Sequence, residues 1–376
     1  MDPRPDVTGV RPHADAVVAE QAVFTSIRSP WGRGYRLIAS SPGISPEEKR
    51  EIVQRAPSHQ SICDASAHGC GLASFAMQSG RRCIFCAQNA GVEHSARGDH
   101  RVHTHVLILT PADYCRLRCD PLAIWTAARA ALAGKWLSEE PPVALAQLEL
   151  DARAAIEYPA APATWSPSTD DLDRLLSVLL HLLGGRRVLV QGPLDALGVL
   201  AWIWSGVPAA LRAALSLSCG LRYSPGRSFP LILLEGPCSE AERSGNGAEF
   251  TVVDWAAATR PEASEFDPWL SLVRRYWAAG RLAELNPISA ELTEACTAPV
   301  LARVAGLCAD HARLADADLE SIDELTARHA RSAWTNGTGA RLYAEFCHAA
   351  AGRREQLQQQ AEDAGAAAQD SCAGIR

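Results

Sequence analysis

The sequence predicts a multidomain protein of the α+β and α/β type, with two mixed α/β modules followed by an all-α C-terminal region. Three observations lead to that reading. Short runs rich in β-branched and aromatic residues, punctuated by Gly and Pro, occupy the chain as far as Leu150. A helical apolar stripe then alternates with short apolar strands, and from about Glu265 onward apolar residues recur at a helical period. The expected division is an arm over 1–19, modules over 20–158 and 166–258, a helical region over 265–355 and a disordered tail over 356–376. At 376 residues the chain is long enough for each module to bury its own core.

The arm carries three Pro and no apolar periodicity. Ala22 to Ile27 and Tyr35 to Ser40 read as two strands about Gly32 and Gly34. Ser45 is the expected N-cap of a helix that starts at Pro46, carries Glu47 and Glu48 against its positive end and stops before Pro57. Ala73 to Met77 and Arg82 to Cys86 flank Gln78-Ser79-Gly80 as a hairpin, and Val102 to Leu109 supplies a further strand that ends at Pro111. Helices are expected to start at Pro111 and Pro121, and Leu145 to Leu150 is β-like. The Pro- and Ala-rich stretch from Tyr158 to Ala163 marks a boundary.

In the second module, Ser168 to Asp171 fits a capping box ahead of the stripe Leu172, Leu175, Leu176, Leu179, Leu180 and Leu183. Val188 to Val190 is a buried strand feeding a helix over Leu194 to Trp204, and Leu215 to Cys219, Pro230 to Leu234 and Phe250 to Val253 complete the strands. Trp202 and Trp204 flank Ile203 in one helix, Trp269 and Trp277 recur about two turns apart in another, and core or interdomain packing is expected for them.

Composition excludes several functions. Apolar residues form 47% and charged residues 21% of the chain, which are globular proportions. A net charge of -7 and dispersed basic residues exclude binding of nucleic acid by phosphate neutralisation. The most apolar run, Val199 to Leu211, is too short for a membrane span and is broken by Pro208, so no membrane partner is expected. Twelve Cys are too few for a disulfide scaffold and, with a polar N-terminus, point to a cytoplasmic protein.

The densest chemistry lies over 83–119. Cys83 and Cys86, with Cys115 and Cys119, have roughly the spacing of paired zinc ligands. Against that, Cys83 and Cys86 fall in a β-like run where residues three apart face opposite ways, so no metal is expected. His103 and His105 share a strand face and are read as half-buried rings hydrogen-bonded to neighbouring backbone; with His94 or His100 they are the first choice if the chain has an active site. No cofactor motif is present. The only Gly-Lys pair, Gly134-Lys135, lacks the flanks of a phosphate-binding loop, and Gln191-Gly192-Pro193 offers an anion only a weak helix N-terminus.

Three passages resemble a known family. Phe24-Thr25-Ser26 with the stretch from Gly34 to Ile44, and more loosely Arg97 to Leu107, are similar to the type-two N-terminal module of the bacterial GTPase-associated protein family. Leu211 to Leu221 with Ser224, Arg227 and Phe229-Pro230-Leu231 is similar to the family's middle module. The resemblance implies a non-catalytic adaptor or regulator that works with a partner GTPase or an effector in a bacterial conflict system, and it carries over no catalytic residue. Arg222 and Arg227, in the third passage, are the candidate interaction residues. The alternative is a hydrolase or transferase using His103 and His105 with Cys83 or Cys86 as nucleophile.

Overall fold

The computed structural model describes residues 16–29, 32–93, 100–131, 144–153, 165–238, 249–259, 262–293, 296–330, 334 and 339–373. Its contacts divide the chain into two compact units. The first holds 1–167, 184–204 and 212–259, and the second holds 168–183, 205–211 and 260–376.

The first unit is built on one mixed sheet. Among the described residues it has ten strands, in the order β10-β7-β9-β8-β3-β4-β5-β1-β2, with β6 paired to β1. Six are antiparallel neighbours from the N-terminal half: β1 (Ala16–Ser29), β2 (Gly32–Ser40), β3 (Cys70–Ala76), β4 (Arg82–Val92), β5 (His100–Leu109) and β6 (Leu148–Asp151). The other four are mutually parallel: β7 (Val188–Gly192), β8 (Leu217–Cys219), β9 (Leu231–Glu235) and β10 (Thr251–Asp254). The two sets meet where β3 runs antiparallel to β8, with Leu72 opposite Cys219 and Ser74 opposite Leu217.

Strands expected in two modules therefore share one sheet. Apolar alternation gives no information on which strand will pair with which, and the short run at Leu217 has no partner of its own other than β9 and β3. Residues 16–19, expected in the arm, are the start of β1. β1 starts at Ala16, where Val17 and Ala19 are buried and residues 16–19 pair with β6. The boundary expected at 158–163 lies outside the described residues.

Each sheet face has its own cover. Phe24, Phe75, Cys83, Phe85, Val106 and Ile108 form a core on one face together with Ile44 and Ile52, which flank and belong to α1 (Pro46–Arg55). The Phe75 and Phe85 rings meet edge to face at 5.2 Å, and Phe229 stacks on Phe75 at 5.4 Å. The capping expectation at α1 holds: Glu48 N donates to Ser45 Oγ at 3.2 Å, and Ser45 N donates to Glu48 Oε2 at 2.9 Å. The same buried carboxylate accepts from Ser79 Oγ at 2.7 Å and from Arg81 Nη1 at 3.2 Å, which ties the β3–β4 turn to the helix.

On the opposite face, Arg82 lies over the ring of Tyr114 at 4.8 Å, from α2 (Pro111–Arg116), and α3 (Pro121–Ala131) packs on β3 and β4. Buried charges join the two halves here. Arg82 Nε donates to Ser74 Oγ at 2.9 Å, while its Nη1 donates to Ala213 O at 3.4 Å and its Nη2 to Leu215 O. Trp204, from α5 (Ala196–Gly206), donates to Cys119 O at 3.0 Å.

The second unit is helical. It contains α4 (Thr169–Leu183), α7 (Asp267–Ala278), α8 (Leu282–Ala290), α9 (Ala298–Arg313), α10 (Leu319–Ala330) and α11 (Ala340–Ala373); α6 (Ala209–Ala214) crosses between the two divisions. Helix α4, with its leucine stripe buried, packs on α7 and belongs to this unit although its neighbours in sequence belong to the sheet. Trp269 and Trp277 are buried as expected and donate to Gly206 O at 3.1 Å and Ser205 Oγ at 2.9 Å. The stretch from 356 onward, expected to be disordered, continues α11 to Ala373. Its Ala, Gln and Glu content has high intrinsic helix propensity, which outweighs the lack of an apolar stripe.

Candidate functional site at the parallel strand ends

In open α/β sheets the carboxyl ends of parallel strands are where loops diverge and leave a crevice. Here β9 ends at Glu235, followed by Gly236 and Pro237, and β8 ends at Cys219, followed by Gly220. Between them lies a cavity of about 210 Å³ lined by Cys63, Arg222, Tyr223, Leu234, Glu235 and Cys238, among others.

The chain reaches this geometry by a few backbone turns. Gly220 has a φ of 65°, in the left-handed region, and its carbonyl accepts from Cys63 N at 2.9 Å. Arg222 N donates to Ser61 O at 2.7 Å, so the loop before β3 is held against the end of β8. Gly236 N donates to Gly192 O at 2.9 Å, and Cys238 N donates to Gln191 Oε1 at 3.1 Å. Those two bonds close the β9 end onto the β7 end.

Glu235 is the central acid. Burial raises its carboxyl pKa, against the pull of Ala196 N, which donates to Oε1 at 3.3 Å from the start of α5. Asp64 and Asp195 add to the upward shift. Cys63 is pushed up to about 11 by burial; a hydrogen bond to the Glu235 backbone opposes the shift, the Glu235 charge adds to it, and Arg222 and Arg227 oppose it. It is a thiol at neutral pH and not a nucleophilic thiolate. An exposed guanidinium at Arg222 stands on the rim of the cavity.

The two candidate arginines have different fates. Arg222 is exposed, but Arg227 is buried, with Nη1 donating to Arg55 O at 3.0 Å and Nη2 to Arg222 O at 3.3 Å. Its guanidinium braces the loop, so Arg227 is corrected from an interaction residue to a structural one. Arg222 precedes the turn Pro225–Arg227 and Arg227 closes it.

Four of the candidate residues over 83–119 are core. Cys83, Cys86, His103 and His105 are each at most 3% exposed. The register places Cys86 opposite His105, while Cys83 stands opposite Ile108 on the other face. One tetrahedral ion is therefore out of reach of both thiols, and Cys115 and Cys119 face each other 3.7 Å apart at the end of α2. Burial pushes the Cys83 and Cys86 thiols up, and pushes His103 down to about 4 and His105 down to about 3. Nucleophilic and acid–base catalysis use a thiolate and a ring that titrates near neutrality, and burial shifts these groups away from both. His94 and residues 97–99 lie outside the described residues.

Glu235 and Cys63 escaped the sequence reading. The available signal was a single acid closing an apolar strand run just before Gly236-Pro237. At the Gln191-Gly192-Pro193 turn, the Leu194 amide donates to Gly192 O at 3.0 Å and the Ala196 amide to Glu235 Oε1 at 3.3 Å, so the chain itself uses these two donors.

Residues 18–152 match the family described as GTPase-associated protein 1, N-terminal domain type 2. No curated protein matches the chain.

Proposed function

We propose that this chain, whose residues 18–152 match the GTPase-associated protein 1 N-terminal domain of type 2, is a non-catalytic adaptor that docks a GTPase. The family match is the observation that carries the proposal. The burial of Cys83, Cys86, His103 and His105 supports the non-catalytic half, since the groups best suited to chemistry are held neutral inside the sheet. The docked GTPase supplies the nucleotide site, and the adaptor responds to its nucleotide state. Its setting is the cytoplasm, within a bacterial conflict system whose effector is a second partner. Nucleic acid is not a partner, consistent with the net charge of -7.

Arg222 on the rim of the strand-end cavity is the contact residue of this proposal, because an exposed guanidinium recognises carboxylates in a fixed fork geometry. The test is co-expression of the full chain with the GTPase encoded nearest to its gene, followed by size-exclusion chromatography. Co-migration of the wild-type chain, weakened at least about tenfold in affinity by Arg222→Glu, supports the reading. Separate elution of the wild-type chain with the GTPase in both its GTP- and GDP-bound forms rejects it.

A further inference from the structure

Helix α2 ends in two consecutive non-glycine residues with left-handed backbone, Arg118 at φ 56° and Cys119 at φ 51°. L-residues rarely hold this conformation, and here a set of hydrogen bonds enforces it. Arg118 N donates to Cys115 O and Cys119 N donates to Tyr114 O, both at 2.9 Å. The Cys119 carbonyl accepts from Tyr114 Oη and from Trp204 Nε1, both at 3.0 Å. The reversal folds Cys119 back over the last turn of the helix, and its thiol donates to Cys115 Sγ across 3.7 Å. Cys119 is buried, while Cys115 is exposed.

We propose that Cys115 and Cys119 are a reversible thiol–disulfide pair, oxidised by exchange with a small-molecule disulfide of the glutathione class. The sulfurs need to approach from 3.7 Å to about 2.0 Å, which side-chain rotation at the exposed Cys115 provides without moving the enforced backbone. Cys115 is the entry point because it alone of the two meets solvent. Its thiolate attacks one sulfur of the glutathione disulfide, forming a mixed disulfide and expelling one glutathione thiolate. Cys119 then attacks the Cys115 sulfur, the second glutathione leaves, and the proton lost by Cys119 ends on a departing glutathione. Two protein thiols are oxidised and one glutathione disulfide is reduced to two thiols.

The bond bears on the fold because Cys119 is also the residue whose carbonyl anchors Trp204. Closing the disulfide locks the left-handed turn that presents that carbonyl. Reduction leaves the turn to its hydrogen bonds alone.

The full chain, equilibrated in glutathione buffers of increasing oxidised fraction, acid-quenched, alkylated and digested with trypsin, is read by mass spectrometry. The expected result is that the peptides carrying Cys115 and Cys119 stay joined in the majority of the chain under oxidising buffer and separate on reduction. Cys115→Ser abolishes the joined species, and Cys119→Ser leaves a persistent glutathione adduct on Cys115. The wild-type measurement stands by itself if Cys119→Ser fails to fold. The proposal is overturned if wild-type Cys115 carries glutathione with no joined peptide at any ratio. It is equally overturned if the pair stays reduced while Cys347, also exposed, takes up glutathione.

Discussion

The buried carboxylate of Asp120 and the buried guanidinium of Arg212 hold each other's charge inside the sheet unit. Burial raises the Asp120 pKa, and Arg212 is the strongest opposing influence; burial lowers Arg212 to about 10, and Asp120 is its strongest support. Asp120 Oδ1 also accepts from Leu122 N at 3.0 Å and Ala123 N at 3.1 Å, capping α3. Removing one partner of a buried pair costs about 3–5 kcal/mol, because the other charge is left uncompensated. Arg212→Met is therefore expected to lower the urea unfolding free energy by that order. Adding Asp120→Asn, which keeps the capping oxygen, should return a measurable part of the loss, and simple additivity of the two changes would refute the pairing.

The histidines make a pH prediction. Each has a folded pKa below its ordinary value, at about 4 for His103 and about 3 for His105, chiefly through burial. In the window from pH 6.5 down to about 4 the unfolded chain binds protons that the folded chain does not. Their contribution to stability is thus complete above pH 6.5 and is lost as pH falls, at about 1.4 kcal/mol per pH unit for each fully differential ring. Chemical denaturation between pH 7 and pH 4.5 should show that slope, and His103→Gln with His105→Gln should flatten it. An unchanged slope in the double variant would contradict the buried neutral assignment.

Glu48 ranks above Ser45 in the anchoring of α1. Ser45→Ala removes one cap bond and should cost about 1 kcal/mol. Glu48→Ala removes the reciprocal bond to Ser45 N together with those from Ser79 and Arg81, and should cost roughly twice as much by thermal unfolding. Equal losses would show that the ties to the β3–β4 turn are slack.

Much of this was legible. The cap at Ser45, the hairpin about Gly80 and the leucine stripe of α4 are local signals, written in neighbouring residues. What stayed hidden was non-local. Nothing near Leu72 announces Cys219 as its partner, and nothing near Asp120 announces Arg212, since pairing and charge compensation are settled by residues far away in sequence. The burial of His103 and His105 was half legible: a shared strand face was clear, but the cover on that face depends on where α2 and α3 land. The strand-end cavity was not legible, because it needs the parallel order of β7, β9 and β8.

The shared sheet sets a limit on dissection. A fragment ending at residue 158 keeps β3 but loses β8, exposing an edge at the buried Leu72, Ala73 and Ser74. Unpaired apolar edges template association between chains. The fragment should aggregate or unfold on light scattering and circular dichroism, where the full chain should stay monodisperse. A monomeric, cooperatively folded fragment over 1–158 would restore two independent modules.

The central claim is that nucleotide sensitivity enters through a partner GTPase and not through this chain. A micromolar complex needs about 8 kcal/mol, and a lone exposed helix N-terminus supplies about 0.3–1 kcal/mol. Calorimetry with the full chain in the cell tests this directly, titrating first GTP with Mg²⁺ and then the neighbouring GTPase loaded with a non-hydrolysable GTP analogue. The account predicts no saturable heat for the nucleotide and a saturable isotherm for the loaded GTPase. A micromolar isotherm for GTP alone, or none for the loaded GTPase, would contradict it.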